Sequence, residues 1–176
     1  MPFHPAVLDG LWQLRTLGRE LTGSDRDDMR GKKVSRKDEC PWTVERNEGR
    51  LVEIYVHSLE STEEVRAFSQ AIYDVAIQTP DAILVVDLRT PVVFPEPVAK
   101  AVVELMVRAN SVRKKTAVLL SNERAIFAMQ LVRLAKQAGD PKRRTFTAPG
   151  ELVAWLEADL SARERARLRS FVLPRR

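Results

Sequence analysis

Ala82-Ile83-Leu84-Val85-Val86-Asp87-Leu88 is apolar except for Asp87. Its length and β-branched content fit a strand, and the absence of alternation fits a strand buried on both faces. Such a strand needs a sheet covered by helices, so this segment restricts the chain to the α/β class.

The segments around it agree. Trp42–Arg46 and Leu51–His57 are strand-like runs joined by Asn47-Glu48-Gly49, a hairpin turn. In the second run Val52, Ile54 and Val56 alternate with polar or larger residues and point to the core. Ser61-Thr62-Glu63-Glu64 reads as a capping box opening a helix with Val65, Phe68, Ile72, Val75 and Ala76 on one face, ending before Pro80. Arg89–Pro97 contains three prolines and reads as a loop, with Pro97 starting a helix to about Asn110. Lys115–Leu120 is a strand. Ser121 and Asn122 cap a helix to Ala138 that Gly139 stops. Arg144–Thr147 is a short strand, Pro149–Leu160 a helix, and Ser161-x-x-Glu164 a second capping box opening an Arg-rich helix. The order β-β-α-β-α-β-α-β-α-α predicts parallel pairing after the leading hairpin.

The chain has 176 residues, the size of one domain with an appendage. Residues 1–21 form an N-terminal helical appendage, with Val7, Leu8, Leu11, Leu14 and Leu17 on one side over Pro5–Leu21. Residues 22–40 are a charged linker, 41–160 the domain, and 161–176 a basic helix and tail. Hydrophobic residues make up 44% and charged residues 30%, the balance of a globular protein. No apolar run reaches membrane-spanning length, and the N-terminus lacks the features of a signal peptide, so the expected location is cytoplasmic. Cys40 is the only cysteine, which excludes an internal disulfide and a Cys/His zinc site. No metal or cofactor is expected. Net charge is +5, but Lys and Arg alternate with Asp and Glu over much of the chain, which disfavours nucleic acid as the partner.

From Trp42 to Leu156 the order and spacing resemble a STAS domain, the anti-anti-sigma-factor-like family. The anchors are the hairpin ending in Leu51–Ser58, the strand ending in Asp87-Leu88, strand Thr116–Leu120 with helix Asn122–Gly139, and Arg144-Thr145-Phe146-Thr147 leading into Ala148–Leu156. The resemblance implies a mixed sheet with helices covering it, and a protein partner such as a kinase or anti-sigma-like regulator. The family's Asp-Ser-Ser-Gly phosphorylation motif is replaced here by Pro95-Glu96-Pro97-Val98, which has no hydroxyl; the nearest is Thr90. The family's usual phosphorylation site is therefore not supported.

No catalytic constellation is expected. His4, His57 and Cys40 show no spacing that pairs a nucleophile with a base. Asp87 at a strand end is the best single candidate, weighed against a role as an acceptor tying down the Thr90–Pro97 loop. A glycine-rich phosphate loop is absent.

The expectation is a binding module. On a helical wheel over 97–110, Val98, Val102, Leu105 and Ala109 face the sheet, while Ala99, Val103 and Val107 form a further apolar line. That line and the preceding loop are the expected partner surface: Thr90, Phe94, Glu96, Ala99, Val103 and Val107. The N-terminal helix, a neighbouring subunit or a partner protein could cover it. Two alternatives stay open. Arg163, Arg165, Arg167 and Arg169 could bind nucleic acid or an anionic surface, or the domain could hold a small ligand or lipid. A homo-oligomer is also open.

Overall fold

Gly49 turns the first strand back into the second with a φ of +53°, a conformation that favours glycine. The position is doubly constrained, because a Cβ there would collide with the Glu164 carboxylate. Gly49→Ala should therefore destabilise by roughly 1–3 kcal/mol, the usual cost of a strained backbone position. Urea unfolding measures it, and a change under about 0.5 kcal/mol would show that the hairpin is not clamped.

The computed structural model describes residues 40–173. The expected helix over 5–21 and the linker up to residue 39 lie outside the described residues. The elements are β1 (Trp42–Glu48), β2 (Leu51–Val56), α1 (Thr62–Ile77), β3 (Ile83–Leu88), α2 (Glu96–Ala109), β4 (Lys115–Leu120), α3 (Ala125–Gln137), β5 (Arg143–Phe146), α4 (Pro149–Leu156) and α5 (Ala162–Val172). The strands stand in the order β1-β2-β3-β4-β5. β1 and β2 are antiparallel, and each later pair is parallel. This is the mixed, hairpin-first sheet that the STAS resemblance implies.

β3 is buried on both faces, as its sequence requires. On one face Val52, Ile54, Val56, Leu84, Leu88, Val118 and Leu120 pack against α1, α2 and α3 through Phe68, Ile72, Val98, Val102, Met106, Phe127, Leu131 and Leu134. On the other, Leu51, Ile83, Val85, Ala117 and Leu119 pack against Leu152 and Leu156 of α4 and Leu168 and Val172 of α5. The basic C-terminal helix thus helps close the second core. This explains why Leu51 and Glu53 are buried although β2 alternates like a half-exposed strand.

Both serines cap their helices, but only the second capping box is complete. Ser61 accepts the Glu64 amide, but the Glu64 carboxylate reaches back to the Glu60 amide rather than to Ser61. The Ser161–Glu164 box is complete, and Glu164 Oε1 also accepts the Arg50 amide at 2.6 Å. One carboxylate therefore caps α5 and anchors it to the hairpin turn.

Candidate partner-binding surface

Asp87, the penultimate residue of β3, is almost fully buried. Its carboxylate accepts the Arg89 amide at 3.1 Å and the Arg89 guanidinium at 3.0 and 2.6 Å. Hydrogen bonding to Asp87 raises the Arg89 pKa above its ordinary value. Both carboxylate oxygens thus hold the start of the proline-rich loop. Thr90 follows, half-buried, its hydroxyl donating to the Val56 carbonyl at 3.1 Å with the Tyr55 hydroxyl at 3.3 Å.

α3 clamps the far end of this loop. Gln130 accepts the Phe94 amide and donates to the Phe94 carbonyl, both at 2.8 Å. The Phe94 ring stands edge-on to Phe127 at 5.1 Å between centroids. At the other end of the helix pair, Asn110 Nδ2 donates to the Ala138 carbonyl. α2 and α3 therefore run side by side with their N-terminal ends near each other.

The expected surface residues separate into three groups. Glu96 and Val107 are exposed, and Thr90 and Val103 are half-buried. Phe94 and Ala99 are buried, so they do not belong to the surface. The correction has a geometric cause. α2 lies on the sheet with helices on both sides of it, and it buries Val98, Ala99, Val102 and Met106 rather than the arc containing Leu105 and Ala109.

The sequence reading missed the most exposed apolar residues. Val92 is 68% exposed and Val93 also projects from the loop, while Ile126 and Met129 on α3 are 75% and 74% exposed. Val132 is exposed beside them. Val92 and Val93 adjoin Phe94, and Ile126 and Met129 adjoin Phe127 and Gln130, so the contacts above hold loop and helix together. A wheel drawn for α3 would have found them, because its buried stripe of Phe127, Leu131 and Leu134 leaves these residues on the opposite arc.

The C-terminal arginines are largely engaged within the chain. Arg167 binds both oxygens of the buried Glu53. Arg165 and Arg169 lie 3.8 and 3.5 Å from Glu157. Arg163 is exposed, without an acidic partner among the described residues.

Strand pairing brings Cys40 and His57 to one end of the hairpin, where the His57 amide donates to the Pro41 carbonyl. The Cys40 thiol donates to the Trp42 carbonyl, and no hydrogen bond joins it to the imidazole among the described residues. No group of three or more His, Cys, Asp or Glu able to hold a metal occurs among them either. None of their helices is long and apolar enough to cross a membrane.

No family model and no curated protein matches the chain. Among solved structures it is similar to an uncharacterized protein from the DUF3478 family with a SpoIIAA-like fold, from Shewanella loihica PV-4. Identity is 15%, the alignment covers 65% of this chain and 91% of that chain, and the TM-score is 0.49. The fold is STAS-like. That statement rests on the antiparallel hairpin, the three parallel pairs and the division of helices between the two faces.

Proposed function

We propose that this STAS-like domain is a non-enzymatic regulatory or scaffolding module that binds another protein in a bacterial-type signalling pathway. One observation carries the reading. Val92, Val93, Ile126 and Met129 are exposed on a loop and helix that Phe94 and Gln130 tie together, Val107 is exposed on the neighbouring α2, and exposed apolar side chains near one another mark contact sites. The best catalytic candidate, Asp87, is occupied by Arg89. With no hydroxyl at Pro95–Val98, regulation falls to something other than phosphorylation there.

The two alternatives have less support. With Arg165, Arg167 and Arg169 paired internally, α5 offers few free cations to an anionic surface. The cavity between the sheet and α1–α3, lined by Ile54, Phe68, Leu84, Phe94 and Val118 among others, measures about 60 Å³. That is well below the roughly 300–1,000 Å³ of ordinary ligand sites, and the spaces of about 300 Å³ between α1 and α2 and about 330 Å³ beside Pro80 and Ser111 are surface grooves rather than enclosed apolar cavities.

The test is affinity purification from the native host, comparing the natural chain with Val107→Glu. Val107 is exposed, so the substitution spares the core, unlike one at the half-buried Val103. A defined protein should be depleted at least about tenfold, the equivalent of ~1.4 kcal/mol. Unchanged recovery of every co-purifying protein would remove this surface from the proposal.

A further inference from the structure

The binding reading leaves the partner's chemistry open, and α3 narrows it. Between Glu123 and Asp140 the chain has no acidic residue. Arg124, Arg133 and Lys136 are exposed there, and none forms an ion pair among the described residues. At about 100° per residue, Val132, Lys136, Met129, Arg133 and Ile126 share one arc of about 120°. Apolar and cationic side chains therefore occupy the same strip, opposite the stripe that holds α3 to the sheet. Val92 and Val93 are exposed in the loop that Phe94 fastens to α3 at Gln130 and Phe127.

We infer that the outer face of α3, with the Val92–Val93 loop, docks an acidic amphipathic segment of a partner protein. The inference rests on the binding reading above. Apolar anchors of the partner would lie on Ile126, Met129 and the loop valines, while its carboxylates pair with Arg133 and Lys136. Met129 is suited to such a contact because its unbranched side chain adapts to the surface it meets. A symmetric second copy fits poorly, since an isologous contact sets Arg133 and Lys136 against cations with no acid on α3. A lipid surface fits poorly as well. Interfacial helices insert a broad apolar face and favour aromatic side chains, whereas α3 uses its broad face on the sheet and exposes no aromatic residue on the strip.

The experiment titrates the isotope-labelled full chain with three synthetic helical peptides that share one apolar stripe and differ only in net charge: acidic, neutral and basic. The acidic peptide should bind about tenfold tighter than the neutral one, lose that advantage as salt rises, and shift resonances of α3 and residues 92–94. Met129→Glu should weaken both complexes. A double variant, Arg133→Glu with Lys136→Glu, should abolish the acidic preference while leaving the spectrum folded.

Several results overturn the inference: equal affinity for all three peptides, binding to none, or shifts centred elsewhere. So do Met129-dependent binding to phosphatidylserine vesicles without peptide binding, and a dimer by sedimentation that Met129→Glu dissolves. If Val107→Glu depletes a protein partner while the charge-reversed variant still holds it, the binding reading stands and the acidic chemistry fails.

Discussion

Asp140→Ala should destabilise the domain by about 3–5 kcal/mol, the cost of leaving one half of a buried ion pair uncompensated. The Arg113 side chain is fully enclosed, and its guanidinium bonds Asp140. Asn110 Oδ1 accepts from Arg113 and Arg143, each at 2.8 Å, and Arg143 also donates to the Met106 carbonyl. Burial pushes the Arg143 pKa down to about 10, with Arg113 adding repulsion and Asp140 opposing both. One carboxylate therefore faces two guanidinium charges, bonding Arg113 and acting on Arg143 through space. The same carboxylate accepts the Lys142 amide and shapes the entry to β5. Among the described residues Arg113 Nε and Nη1 have no partner, so only Asn110 remains to hold that cation once Asp140 is gone. Chemical denaturation measures the loss. Adding Arg113→Met to Asp140→Ala should recover most of it, since removing both charges can be nearly neutral. A single variant as stable as the natural chain would show that the cluster is not closed.

The same carboxylate sets a pH dependence. Burial favours its neutral form, but hydrogen bonds from Lys142 and Arg113 and the nearby Arg113 and Arg143 charges outweigh this and hold Asp140 below its ordinary value. Its folded pKa lies under its unfolded one. Its contribution is therefore complete above about pH 4 and disappears as the pH falls through the lower folded value. Asp140→Ala should accordingly flatten the acid limb of the stability curve.

Arg167→Ala should cost about 2 kcal/mol, less than a fully buried pair, because Arg167 is half-exposed and water can reach the space it leaves. Glu53 is buried under α5 and stands across the ladder from Glu45. Asn47 donates to both carboxylates, at 2.9 Å to Glu53 and 3.0 Å to Glu45. Arg167 is the cation that neutralises Glu53, and hydrogen bonding to Glu53 raises its pKa. Arg163→Ala, on the same helix but exposed, should stay within about 0.5 kcal/mol. Thermal melts of the two variants distinguish a structural α5 from an anion-binding one. Equal stabilities, with weakened binding to a polyanion in both, would return these arginines to the surface role.

What was legible in the sequence was local or periodic. Two-sided burial of Ala82–Leu88 follows from its composition, and it forces helices onto both faces. The Ser161–Glu164 box announces α5 by spacing alone. What was not legible depends on distant residues meeting. Glu53 with Arg167, Arg113 with Asp140, and Gly49 with Glu164 have no periodicity, so a buried Glu53 looked like the polar half of an alternating strand. The wheel for α2 was turned from its true setting because helices on both sides determine which arc is buried. The wheel therefore turns Ala99 to the surface, whereas the apolar residues on both arcs of α3 are visible in its own sequence.

In the proposed function this domain acts by holding a protein against α3 and the loop before α2. A photo-crosslinking residue placed at Met129 of the full chain, in its native host, tests it most directly, with Ala166 on the opposite layer as the control. Met129 should yield one defined protein adduct that is absent from Ala166. Identical adducts at both positions, or a specific adduct only at Ala166, would contradict it.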